Sequence, residues 1–142
     1  MKKFLIAWLT LTVINSDAFG QVSKFQNMIG SWQIISDNDV GGSLEIVDSS
    51  TIVIKFMGEE KRLNGCKIDF SKTPFWFDFS ARDSSTAFSN FKSLLDFVSD
   101  DTMRWEVFTD DDRADHFTSQ AGELFYLKRL RTKPSPIAIN KQ

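Results

Sequence analysis

The 142-residue chain has little of what metal sites and disulfides need, because it contains one Cys and one His. A single Cys excludes an internal disulfide and any zinc cluster built on several thiolates. A single His removes most histidine-based metal sites and leaves one imidazole as a candidate base. The 17 basic and 19 acidic residues give a net charge of −2, so there is no positive surplus to bind phosphates. We therefore expect neither a metalloenzyme nor a nucleic-acid-binding protein, and no cofactor.

Apolar and aromatic residues, in contrast, are plentiful. Hydrophobic residues make up 42% of the chain and charged residues 25%, which is typical of a globular protein rather than a disordered one. Fourteen of the residues are Phe and four are Trp. The length suits one domain, which must be held together by its core because it has no disulfide.

The N-terminus is predicted to be a signal peptide. Residues 1–3 are a short positive start, and residues 4–14 form an apolar run that is too short to span a bilayer comfortably. Ala18 and Gly20 then provide the small residues at −3 and −1 that a signal peptidase accepts. We expect residues 1–20 to be removed by cleavage after Gly20, leaving a periplasmic or secreted protein without a stable membrane insertion.

Cleavage would change the charge and set the domain boundaries. Loss of Lys2, Lys3 and Asp17 takes the net charge from −2 to −3. The domain is then expected to span residues 21–131. The remaining residues, 132–142, contain two Pro and are predicted to form a flexible C-terminal tail.

Alternation of apolar and polar residues dominates the domain, as in Phe75, Phe77 and Phe79. A period of two marks strands with one buried and one solvated face, and polar turn residues separate the runs. A short helical turn is predicted at Gln21–Ile29. The pattern predicts eight strands, at about 31–37, 43–48, 51–57, 60–70, 74–82, 92–99, 102–109 and 123–131.

Eight short antiparallel strands must protect their edges. Closure into an up-and-down barrel removes the edges completely and suits short hairpin links. A two-sheet sandwich is the alternative, but it usually needs longer crossover connections. The predicted fold is therefore all-β, an eight-stranded antiparallel up-and-down barrel.

The start of the first strand, Gly30-Ser31-Trp32, resembles the Gly-x-Trp signature of the lipocalin and calycin barrels. The resemblance implies that Gly30 lets the chain turn into the strand and that Trp32 plugs the closed end of the barrel. It also implies that an Arg of the last strand covers the Trp ring through a cation–π contact. Arg129, in phase with Phe125 and Leu127, is the expected partner of Trp32.

More of the chain is similar to small bacterial exported lipocalin-like domains. The similarity covers residues 25–131 and includes Cys66–Pro74, Leu94–Val107 and the terminal segment Phe125–Arg129. The link Asn38–Gly42 between the first two strands is short beside the lid loop of large lipocalins. Because of that difference, a barrel filled by its own side chains remains an alternative to a roomy ligand cup.

The aromatic residues of the inner face are the candidate ligand site. A cavity lined by such rings would accept a small apolar or flat ligand, and the expected function is non-enzymatic binding of such a molecule. The alternative is that the rings fill the core and the protein is a protein–protein interaction or structural module. The oligomeric state is left open. The predicted lining residues are Phe56, Phe75, Phe77, Phe79, Phe97, Trp105 and Phe125.

Four other features are weighed for function. His116, in the acidic segment 110–116, lacks a convincing nucleophile and is predicted to be a solvated loop residue. The Asp residues of that segment lack the Gly and Glu of an EF-hand and are predicted to form a solvated turn. Cys66 is expected to behave as a small inward-facing hydrophobe. Trp76 and Phe108 lie on the opposite face, where exposure would indicate a partner or dimer contact.

Overall fold

The computed structural model describes residues 16–35, 41–82, 87–109 and 112–131, with side chains from Gly20 onward. Most of the predicted signal peptide, the predicted tail 132–142, and Asp110 and Asp111 lie outside the described residues. The elements are α1 (Ser16–Met28), β1 (Gly30–Ile35), β2 (Ser43–Asp48), β3 (Thr51–Phe56), β4 (Glu59–Asp69), β5 (Phe75–Arg82), β6 (Phe88–Ser99), β7 (Thr102–Phe108) and β8 (Glu123–Arg129).

The strands form one closed barrel in which each strand pairs with its sequence neighbours. Every pair is antiparallel, and β1 pairs with β8 to close the sheet, with Trp32 opposite Arg129. Closure leaves none of the eight described strands with a free edge. The predicted fold class, an eight-stranded antiparallel up-and-down barrel, is confirmed.

Two of the hairpin links are held by Asp–Ser pairs. Asp48 Oδ1 accepts hydrogen bonds from Ser50 N and Ser50 Oγ, both at 2.8 Å. Asp69 Oδ1 accepts from Ser71 N at 2.9 Å and from Ser71 Oγ at 2.6 Å. These bonds favour the charged carboxylate, so the serines lower the pKa of Asp48 and of Asp69 below the usual value.

The structure differs from the predicted element bounds by more than two residues in two places. The helix begins at Ser16, so it is longer than the predicted turn at Gln21–Ile29. Strand β6 begins at Phe88 rather than at Lys92, and it pairs with β5 along its whole first half. Polar residues at 89 and 90 obscure this extension in the sequence.

One end of the barrel is filled by buried side chains. Trp32, Leu95, Met103 and Leu127 are each at most 2% exposed and lie in one core cluster. Helix α1 covers that end of the barrel, where its Met28 is fully buried. We call this the closed end; the opposite end is the open end.

Candidate ligand-binding cavity

The open half of the barrel contains a cavity of about 670 Å³. Its size falls in the range of small-molecule sites in proteins. The cavity reaches solvent beside the β3–β4 turn, where Met57 is 73% exposed. Its lining residues are Ile34, Ile54, Phe56, Met57, Glu59, Lys61, Leu63, Phe79, Ala81, Arg82, Phe91, Trp105, Val107, Thr109, Glu123 and Phe125.

The predicted lining residues divide between the two halves of the barrel. Phe56, Phe79, Trp105 and Phe125 line the cavity. The other three are not among its lining residues: Phe77 is 1% exposed in the core, Phe97 packs near Trp32, and Phe75 meets Phe70. The alternative of a barrel filled by its own side chains therefore holds only for the closed half.

The filled half and the hollow half meet at one level along the barrel axis. On β5 the inward residues Phe75 and Phe77 lie below the cavity, whereas Phe79 and Ala81 line it. On β8 the boundary falls between Leu127, in the core, and Phe125. All these residues face inward, so period two could not separate them. The same alternation could have identified Ile34, Ile54 and Phe91, which line the cavity but are not among the predicted lining residues.

The closed end is plugged by Trp32. Its indole is fully buried and donates a hydrogen bond from Nε1 to the backbone oxygen of Met28, at 2.8 Å. The Arg129 guanidinium lies 4.0 Å from the centroid of the Trp32 ring, a cation–π contact. Gly30 has φ of +132°, a conformation that side chains rarely adopt, and a Cβ there would lie 3.1 Å from the Arg129 guanidinium.

Arg129 also binds the end of helix α1. It donates hydrogen bonds to the backbone oxygen of Ile29, at 2.9 Å, and to that of Asn27. The last carbonyls of a helix lack partners within the helix, and a cation there also interacts favourably with the helix dipole. One side chain therefore joins β8, β1 and α1.

The β7–β8 connection packs against the outside of the barrel. Glu106 is fully buried, and its carboxylate accepts hydrogen bonds from Thr118 N at 2.9 Å, Thr118 Oγ1 at 3.1 Å and Ser119 N at 2.9 Å. Gly122 approaches so closely that a Cβ there would lie 2.8 Å from the backbone oxygen of Val107. We call residues 112–122 the outer strap.

The outer strap covers the outward face at Phe108, which is 1% exposed, so the exposure that would indicate a partner contact is not found there. A Cβ on Gly122 of the strap would lie 3.0 Å from the Phe108 ring. Trp76 is half-buried because cations cover it: the Arg113 guanidinium lies 3.9 Å from its centroid and the Lys72 ammonium 4.8 Å. Arg113 also forms an ion pair with Asp78. The chain covers these aromatic residues with its own strap.

The remaining candidates lie away from the cavity. The His116 side chain is 75% exposed and contacts Asp115, whose pKa it lowers through a hydrogen bond and its charge. Cys66 is half-buried near α1, and burial raises the pKa of its thiol. In the described ranges, no three His, Cys, Asp or Glu side chains come together as metal ligands. The helix that the structure describes is not long and apolar enough to cross a membrane.

Fold and cavity together define a class of protein: a closed antiparallel β-barrel, plugged at one end and hollow at the other. This architecture is compatible with a lipocalin-like fold. Comparison with known proteins adds no family to the description, because no family model, curated protein or solved structure matches the chain.

Proposed function

We propose that this protein is a lipocalin-like carrier that binds a small apolar molecule in the open half of its barrel, without catalysing a reaction. The observation that carries the proposal is the 670 Å³ cavity, whose inner walls are aliphatic and aromatic side chains. Apolar surface of this kind binds apolar ligands because binding removes both surfaces from water.

The plugged end supports the lipocalin-like assignment. Gly30, Trp32 and Arg129 stand in the arrangement that the resemblance implies, with the guanidinium stacked on the indole. The covered outer face supports ligand binding over the interaction module, since the outer strap of this chain already occupies the surface around Trp76 and Phe108.

We further propose export after cleavage at Gly20. Two side-chain contacts that the structure describes between α1 and the barrel lie beyond that position: Lys24 Nζ donates to the backbone oxygen of Phe70 at 3.4 Å, and Met28 is buried. Cleavage would therefore leave the plugged end intact. Mass spectrometry of the purified protein tests this, with Gln21 expected as the first residue.

Binding is tested with the neutral apolar dye N-phenyl-1-naphthylamine and a cavity-filling variant. Val107 faces the cavity, so Val107→Phe should occupy part of it and raise the dye Kd by about tenfold, the effect of losing roughly 1.4 kcal/mol of binding free energy. Dye fluorescence, and energy transfer from Trp to the dye, measure the Kd.

The matched control is Val47→Phe, which adds the same side chain at a position that is 50% exposed on the barrel wall. Its Kd should stay within about twofold of the parent value. Equal Kd values for both variants and the parent would place the dye outside the cavity. Absence of dye binding by the parent protein would contradict the carrier function itself.

A further inference from the structure

The walls of the cavity differ in chemistry from one side to the other. Strands β5 to β8 contribute rings in mutual contact: the Phe79 centroid lies 5.3 Å from that of Phe91 and 5.7 Å from that of Trp105. Trp105 in turn lies 5.8 Å from Phe125. The facing strands β1, β3 and β4 contribute three aliphatic side chains, Ile34, Ile54 and Leu63, and a single ring, Phe56, at the end of β3. A flat apolar body is the shape that packs against the continuous aromatic wall.

The polar groups of this wall are already satisfied below the cavity. Trp105 Nε1 donates to Ser93 Oγ at 2.9 Å, and Ser93 Oγ donates to the backbone oxygen of Phe77 at 2.5 Å. Ser93 is itself fully buried. A ligand that reaches the floor of the cavity therefore meets aromatic carbon there, so its polar end must point to the mouth.

Four charged residues line the mouth, and three have partners that the structure describes. Lys61 forms an ion pair with Glu59 at 3.5 Å on β4, and the Arg82 guanidinium lies 5.0 Å from the centroid of the Phe88 ring. Glu123 differs: within the described ranges, its carboxylate has no ion pair and accepts no hydrogen bond.

Glu123 stands directly above the aromatic wall. It is on the inward face of β8, two residues before Phe125, and it pairs in register with Val107, while Phe125 pairs with Trp105. Lys61 and Glu59 are on β4, on the opposite side of the closed barrel. The carboxylate that lacks a partner and the ring faces are therefore on the same side of the cavity. A cation there would meet a negative charge, while an apolar body attached to it could reach the rings below.

We infer that the ligand of the cavity is a lipophilic cation, a flat apolar body with an ammonium or amidinium group that pairs with Glu123 at the mouth. This inference rests on the proposed function and specifies the ligand class for the same cavity. The apolar body packs against Trp105 and Phe125, and the cationic group remains near solvent, where its desolvation cost is small.

The test uses three probes with one ring system and different charges: 1-pyrenemethylamine, 1-pyrenemethanol and 1-pyreneacetic acid. At pH 7 these are cationic, neutral and anionic. The parent protein should bind the amine about fivefold more tightly than the alcohol, equivalent to about 1 kcal/mol for an exposed ion pair, and the acid more weakly than either. The preference for the amine should shrink as salt concentration rises.

Glu123→Gln should reduce the preference to less than about twofold while leaving the Kd of the alcohol unchanged. The matched control is Glu60→Gln, because Glu60 is at the same end but forms its ion pair with Lys55, at 3.2 Å, away from the cavity. That variant should keep the full preference.

The outcomes separate the two proposals. Failure of all three probes to bind would overturn the carrier function and the inference together. Equal binding of amine and alcohol would overturn only the inference. Tighter binding of the acid would also overturn only the inference, and would assign the mouth to Arg82 or Lys61. A preference that survives in Glu123→Gln would also overturn it.

Discussion

Arg129 is the residue on which the closed end depends most. It stacks on Trp32, donates to two carbonyls at the end of α1 and stands opposite Trp32 in the β1–β8 register. Lysine could supply the charge but neither the planar stacking surface nor the forked donors. The planar surface and the forked donors of one guanidinium can therefore hold three elements together.

Trp32→Ala and Arg129→Ala should each lower the free energy of unfolding by about 2–4 kcal/mol, because one leaves a cavity and the other removes the cation–π contact with Trp32 and two hydrogen bonds to the end of α1. Arg129→Lys should recover only part of the loss. Urea unfolding followed by Trp fluorescence measures these changes.

The matched control at this site is Arg131→Ala. Arg131 is two residues further along, is 78% exposed and forms an ion pair with Asp101. Its removal should cost less than about 1 kcal/mol, as for most surface ion pairs. Equal effects of Arg129→Ala and Arg131→Ala would show that the stacked arrangement adds no stability.

At the scale of elements, the outer strap is a connection that buried side-chain contacts hold against the barrel. A buried carboxylate is costly unless its oxygens are hydrogen-bonded, and Glu106 meets this need with donors from Thr118 and Ser119. Arg113 adds a second anchor through Trp76 and Asp78. The strap is therefore held at two points rather than by its sequence neighbours alone.

Glu106→Gln should loosen the strap, because a neutral amide accepts weaker hydrogen bonds and its NH₂ group cannot accept from backbone N–H. We expect a loss of about 1.4 kcal/mol in local stability and so about tenfold faster tryptic cleavage after Arg113, whose side chain is only 8% exposed.

Glu45→Gln serves as the control for this change, because Glu45 lies on β2, far along the sheet from the strap. Cleavage after Arg113 should be unchanged in that variant. If Glu106→Gln left the cleavage rate at the parent value, the carboxylate would not be what holds the strap.

At the scale of the whole molecule, the closed half of the barrel stabilises the fold and the open half contains the cavity. Large side chains such as Trp32 and Phe77 fill the closed half, while the open half is hollow at the level of Phe79 and Trp105. The hydrophobic gain from the filled half is what allows the other half to remain without packed side chains.

The sequence predicts which residues form strands, but it does not predict at which height along the barrel axis each side chain lies. Alternation such as Phe75, Phe77 and Phe79 identifies the inward face, because a one-residue shift would expose every ring. It cannot state how far along the barrel axis each ring lies, since that depends on the register between strands. For a related reason the sequence cannot state whether Phe108 is exposed: the strap covers it, and only the tertiary structure brings the strap there.

The same division predicts that the closed end can be weakened without changing the affinity of the cavity. A chain that begins at Gly30 lacks α1, so Trp32 loses the Met28 acceptor, Arg129 loses two carbonyls, and the burial of Met28 is lost. Relative to a chain that begins at Gln21, we expect a loss of about 3–5 kcal/mol in the free energy of unfolding.

A chain that begins at Lys24 is the control, because it omits the exposed Val22 but keeps the Lys24 and Met28 contacts. It should match the chain from Gln21 within about 1 kcal/mol. At a low temperature where all three chains are folded, N-phenyl-1-naphthylamine should bind each with a Kd within about twofold. A weaker Kd in the chain from Gly30, measured while its far-UV circular dichroism is that of the folded barrel, would show instead that the plug and the cavity are coupled, and that α1 shapes the binding site from the opposite end.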